Sequence, residues 1–81
     1  MSQRVSGRTP LDTYVINQVK EMRIARGISQ AVLAIKLGVS ATFIADIENP
    51  KKDKKYNVSH LNRLAKAFEC SPRDFLPELP C

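Results

Sequence analysis

The sequence contains no tryptophan, one histidine, two cysteines and three glycines, and it is short of acids, with eight Asp and Glu against thirteen Lys and Arg. Each shortage excludes something. His60, Cys70 and Cys81 together fall short of the ligand set of a structural zinc site, and no C-x-x-C pair is present. Two cysteines do not make the disulfide framework of a small secreted domain. A lone histidine leaves the usual nucleophile-and-base arrangements without parts. The scattered glycines build no phosphate-cradling loop. The longest uninterrupted apolar run, Ala31 to Ile35, is five residues, so nothing here spans a membrane. The opening MSQRVSGRTP has basic residues but no apolar stretch, so it does not read as a secretory signal. The expectation is a cytoplasmic protein with reduced thiols, no metal, no cofactor and no enzymatic activity.

What remains is an 81-residue chain, 43% hydrophobic and 26% charged, with a net charge of +5. That composition is globular, and the length allows one small domain that buries roughly 60–65% of its unfolded surface. The basic excess points to a binding module with an anionic partner.

Residues 1–8 are polar and aperiodic. They read as a flexible arm carrying Arg4 and Arg8, or as a frayed terminus without a role. Thr9-Pro10-Leu11-Asp12 is a helix start: a capping threonine, a proline at the first helical position and an acid near the dipole's positive end. Leu11, Val15, Ile16, Val19 and Met22 then recur at three and four residues as one apolar stripe, and Gly27 ends a first helix over about 10–26. Ser29 opens a second helix with Leu33, Ala34 and Leu37 inward, stopped by Gly38. Ser40 caps a third at once, with Phe43, Ile44 and Ile47, ending at Asn49-Pro50. PKKDKKYN (50–57) is a charged loop. Ser59 is expected to cap a fourth helix striped by Leu61, Leu64, Ala65 and Phe68, and Ser71-Pro72-Arg73-Asp74 to open a fifth, short one with Phe75 and Leu76. The fold class is therefore all-α, with five helices: an arm at 1–8, a domain at 9–76 and a tail at 77–81.

The stretch from Gln30 to Asn49 carries the functional signal. Ala34 is small where one helix must cross another closely, Gly38 makes a sharp turn, and Leu33, Leu37, Val39, Ile44 and Ile47 bury the seam. This is the layout of a DNA-binding helix-turn-helix, whose second helix enters the major groove. The run Arg23-x-x-x-Gly27-x-Ser29-Gln30-x-x-Leu33-Ala34, then Leu37-Gly38-Val39-Ser40, Ile44-x-x-Ile47-Glu48-Asn49 and Leu61-x-x-Leu64-Ala65, resembles the lambda-repressor/Cro-like (XRE-type) helix-turn-helix family, whose compact five-helix order would cover residues 11–76.

The resemblance implies roles residue by residue. Gln30 matches a position that commonly touches a DNA phosphate, where a helix N-terminus also offers free N–H groups. Ser40 to Asn49 matches the recognition helix, and helical spacing turns Ala41, Thr42, Ala45, Asp46 and Asn49 outward toward the groove. Arg23 and Glu48 match an ion pair between the first and third helices that would set the recognition helix's angle; the alternative is two solvated charges. The chain departs from the family pattern in three respects. Arg, Gln and Lys are absent between Ser40 and Asn49, so base reading would fall to methyl contacts from Ala41 or Thr42, a Thr42 hydrogen bond, or Asp46 accepting from a cytosine amino group. Pro50 stands where the family usually has glycine. The following loop is about three residues longer and more basic, with Lys51, Lys52, Lys54 and Lys55 able to neutralise phosphates, unless they are only a solvated face.

Phe43 is expected to pack beside the groove face, Tyr56 to reach a phosphate or stack on the fourth helix's start, His60 and Cys81 to lie at the surface, and Cys70 to close the fourth helix. The implied function is a sequence-specific regulator binding double-stranded DNA, a small repressor acting as a homodimer, with Phe75, Leu76 and Leu79 as apolar interface anchors, unless Phe75 and Leu76 simply close the core. The alternative is an antitoxin or adaptor of the same fold whose main partner is another protein.

Overall fold

A helix begins where a side chain takes up the N–H groups that the first turn leaves free, and in this chain those positions define the fold. The computed structural model describes residues 7–81; Arg4 and the rest of the expected arm before Gly7 lie outside the described residues. The first helix, α1, is Pro10–Ala25. Thr9 Oγ1 accepts from the Asp12 N–H at 3.2 Å while Asp12 Oδ2 accepts from the Thr9 N–H at 2.8 Å, a reciprocal capping box with Pro10 at its first position. Helix α2, Gln30–Leu37, is capped by Ser29, and α3, Ala41–Ile47, by Ser40. Gly38 between them sits at φ 74°, the left-handed region that glycine enters without a Cβ clash, and the chain turns there by 113°.

Two expectations are corrected. Helix α4 is Val58–Phe68 and is capped by Asn57, not by Ser59. Asn57 Oδ1 accepts from the His60 N–H at 2.8 Å and His60 Nδ1 accepts from the Asn57 N–H at 3.0 Å. The imidazole thus fills the place of the acid or amide in an ordinary capping box, which leaves Ser59 inside the first turn. The expected fifth helix is a single 3₁₀ turn, Pro72–Phe75. Its capping box is present, with Ser71 and Asp74, but Leu76 precedes Pro77, and a residue before proline is driven out of helical backbone. Leu76 is accordingly extended, at φ −110° and ψ 149°. The described residues therefore hold four α-helices and one 3₁₀ turn, with no strand.

Side chains from every element meet in one core. Val19, Leu33, Leu37, Ile44, Ile47, Leu64 and Phe75 are its fully buried members, with Val15, Ile16, Ala34, Ala65, Phe68 and Tyr56 around them. Leu11, expected in the α1 stripe, is instead exposed at the helix's first turn. No single helix among the described residues is long and apolar enough to cross a membrane.

Candidate nucleic-acid interface

Helix α3 is fixed at its C-terminal end and open along its outer face. Ala41, Thr42 and Ala45 are exposed, and Ser40 uses its hydroxyl on the Phe43 N–H at 3.0 Å. At the other end the Glu48 carboxylate takes three hydrogen bonds. Arg23 Nε donates to Oε2 at 2.9 Å, Arg23 Nη2 to Oε1 at 2.8 Å, and Gln30 Nε2 to Oε1 at 3.0 Å. Arg23 Nη1 also donates to the Ile28 carbonyl at 2.7 Å. The ion pair is well shielded, with side-chain exposures of 11% for Arg23 and 3% for Glu48. One acid therefore ties together the end of α1, the start of α2 and the end of α3. The Gln30 amide lies along Glu48 and the Val32 N–H is taken by the Ser29 cap, so the second Gln30 amide hydrogen and the N–H groups of Gln30 and Ala31 are what remain for an outside anion.

The basic loop is not four equivalent free cations. Lys54 Nζ lies 3.2 Å from Asp46 Oδ2 and 5.7 Å from the centre of the Phe43 ring. Lys55 Nζ lies 3.5 Å from Asp12 Oδ2. Among the described residues, Lys51 and Lys52 have no carboxylate within salt-bridge distance. Asn49 folds back on the loop, its Oδ1 accepting from the Lys51 N–H at 2.9 Å. Asp46 is thus on the exposed side of α3 but already neutralised from within.

Aromatic packing closes the other side of the loop. The Phe43 ring is half-buried, 5.3 Å from His60 between centres, and Tyr56 meets His60 edge-on at 5.9 Å. Tyr56 is a core residue, and burial pushes its phenol far above its ordinary pKa, with the nearby Glu48 charge adding to the effect. Of the two roles open to Tyr56, a phosphate contact or a seat on the start of the fourth helix, the buried ring takes the second. It meets the start of α4 through His60. Burial, helped by Arg63, lowers the His60 pKa below its usual value, consistent with a neutral ring whose Nδ1 accepts the capping hydrogen bond.

One residue in this region had been assigned to the arm. Arg8 is half-buried against the end of α3. Its Nη2 donates to the Asp46 and Ile47 carbonyls at 3.2 and 2.8 Å, Nη1 to the Asn49 carbonyl at 3.0 Å, and Nε to the Lys54 carbonyl at 2.9 Å. No sequence spacing points to such contacts, because backbone carbonyls carry no residue signature.

An apolar cleft of about 590 Å³ lies between the starts of α1 and α4 and the 3₁₀ turn, lined by Leu11, Val15, Val58, Leu61 and Leu76, with Val58 83% exposed. Of the two roles open to Phe75, interface anchor or core closure, the structure takes the second, since Phe75 is fully buried; Leu76 and Leu79 are exposed. No group of three His, Cys, Asp or Glu side chains placed to hold a metal occurs among the described residues.

No protein of curated function matches the chain by sequence. The P22 c2 repressor protein, solved with a synthetic operator in the presence of Tl+, is 31% identical, with a TM-score of 0.62 over 84% of this chain and 96% of that one. The restriction-modification controller protein C.AhdI from Aeromonas hydrophila shares the fold at 24% identity, with a TM-score of 0.67 over 78% of this chain and 92% of that one. So does the hydroxypropylphosphonic acid epoxidase from S. wedmorenis, at 23% identity and a TM-score of 0.70. That match covers 85% of this chain but 36% of the epoxidase. The family model of the Cro/C1-type HTH DNA-binding domain matches residues 18–77, and the chain belongs to that family.

Proposed function

We propose that this protein is a sequence-specific transcriptional regulator, a small repressor that binds duplex DNA as a homodimer. The observation that carries the reading is the Cro/C1-type match over a chain whose α3 leaves Ala41, Thr42 and Ala45 open beside a lysine-rich loop. Helix α3 lies in the major groove. Thymine methyls are read by Ala41, Thr42 or Ala45, and Thr42 also hydrogen-bonds a base edge. Lys51 and Lys52 neutralise phosphates directly, and Lys54 and Lys55 do so by leaving Asp46 and Asp12. Gln30, Ser40 and Asn49 border the same surface. The Arg23–Glu48 pair holds the angle of α3 rather than reading bases. The two-fold partner covers the apolar cleft, with Val58, Leu61, Leu76 and Leu79 supplying the anchors in place of Phe75. In this reading the chain is not an enzyme.

A second reading has its own support. Within Ala41–Ile47 no side chain is capable of a bidentate base contact, Asn49 just beyond it is folded back on the Lys51 N–H, and Asp46 is occupied by Lys54. An antitoxin or adaptor whose main partner is another protein would need no base contact. Selection of bound sites from a random duplex pool separates the two. A palindromic consensus with half-sites ~34 Å apart supports the dimeric regulator, and no duplex binding even at low salt supports the protein partner.

A further inference from the structure

We infer that Arg8 is a positioning residue of the DNA-binding surface: it staples the basic loop to the end of α3 so that Lys51 and Lys52 are held toward phosphates. The inference rests on the DNA-binding reading above and adds a residue that neither the sequence pattern nor the family match assigns.

The geometry begins with α3 itself. The last turn of this helix has no basic residue, so the negative end of its dipole has no cation of its own. Arg8 supplies one from a distant part of the chain and donates to the Asp46 and Ile47 carbonyls there. The same guanidinium also holds the Asn49 and Lys54 carbonyls. Those two carbonyls flank Pro50–Asp53, the stretch that contains Lys51 and Lys52. Among the described residues the backbone hydrogen bonds that fix it are the Lys52 N–H on the Asn49 carbonyl at 3.1 Å and the Lys51 N–H on Asn49 Oδ1. A planar fork that reaches both flanks closes the loop into a ring, which one ammonium group cannot do.

The residue before it supports the seat independently. Gly7 has φ +108°, and a Cβ built there would stand 3.2 Å from both the Cβ and the carbonyl oxygen of Asp53. Glycine allows the chain to pass against the loop and deliver Arg8. All but one of the guanidinium N–H groups are in use, so Arg8 is committed to carbonyls rather than free for a phosphate.

The test is equilibrium binding of the full chain to duplex DNA across a salt series, at a temperature where circular dichroism shows every variant folded. The variants are Arg8→Lys, Arg8→Ala, Gly7→Ala, and Lys51→Ala/Lys52→Ala with and without Arg8→Lys. Releasing the loop removes up to two phosphate contacts. That lowers the slope of log K against log salt by up to ~1.8 and weakens binding by up to roughly thirtyfold at about 0.15 M salt. Arg8→Lys, which keeps the charge, is expected to lose nearly as much as Arg8→Ala, with Gly7→Ala moving the same way. Arg8→Lys should add little once Lys51 and Lys52 are gone, a coupling that general destabilisation would not produce. If Arg8→Lys binds like the parent while Arg8→Ala loses about 0.9 in slope, Arg8 is a phosphate ligand and the positioning role is wrong. If both bind like the parent, Arg8 is only a structural contact. If the parent binds duplex and these variants do not differ from it, this inference alone fails; if the parent binds no duplex, the DNA reading fails and takes this role with it.

Discussion

Removing Arg23 would leave the Glu48 carboxylate, 3% exposed, with Gln30 as its remaining side-chain partner among the described residues. A buried charge without its counterion costs about 3–5 kcal/mol. A domain of this size has a total stability of about 4–12 kcal/mol, so Arg23→Ala should bring the protein close to unfolding. Glu48→Ala is milder. The stranded guanidinium keeps the Ile28 carbonyl at 2.7 Å and is 11% exposed, so water reaches it more easily, and the loss should be about 1.5–3 kcal/mol. The double variant strands no charge. It should lose less than the sum of the singles, with a coupling of order 2–3 kcal/mol. Urea unfolding of the four proteins, followed by far-ultraviolet circular dichroism with a common m-value, measures this. Losses that simply add would refute the argument, because they would mean that each charge is stabilised independently of the other.

Three further outcomes are expected. Lys51→Ala/Lys52→Ala should flatten the salt dependence of duplex binding by up to ~1.8, whereas Lys54→Ala/Lys55→Ala should do less, because those lysines must first leave Asp46 and Asp12; equal effects would contradict the pairing. The His60 pKa is depressed in the folded protein, so the unfolded chain takes up this proton first as the pH falls. The capping contribution should be complete above the ordinary histidine pKa and decline as the pH drops through it toward the folded value; a pH–stability profile that His60→Gln leaves unchanged would refute this. Glu69 closes α4 in left-handed backbone, at φ 56° and ψ 51°, so Glu69→Gly should stabilise by about 0.5–1 kcal/mol, and a lowered urea midpoint would count against the strain.

What the sequence disclosed follows from how local each feature is. Thr9, Ser29, Ser40 and Ser71 could be read as caps because an N-terminal cap is written in the capping residue and the three that follow it. Asn57 does not show as a cap in the sequence because its partner in the box is a histidine, which does not belong to the usual pattern, while Ser59, two residues on, is an ordinary capping type. The short last helix failed for an equally local reason, the proline at position 77 acting on Leu76. Spacing identified the α2–α3 pair and its outward face, but not which side chains there are already engaged. Gln30 rests on Glu48, Asp46 on Lys54, and Arg8 on four carbonyls, contacts that span 18, 8 and 38–46 residues. Each of those contacts joins two separate segments of the chain rather than following one helix, and in Arg8's case the acceptors are backbone.

The two loop ion pairs mean that the charge this surface presents depends on how far away it is felt. Beyond a Debye length of about 8 Å at physiological salt, Lys54 with Asp46 and Lys55 with Asp12 are dipoles, and of the loop Lys51, Lys52 and the acid Asp53 remain as single charges, two positive and one negative. At contact the count changes. Both paired lysines are about half exposed, at 48% and 46%, and pairs of that kind are worth at most about 1 kcal/mol, so an arriving phosphate can take either lysine at small cost. Approach is then governed by the small net charge of Lys51, Lys52 and Asp53 and retention by as many as four lysines, so the association rate should be less sensitive to salt than the lifetime of the complex.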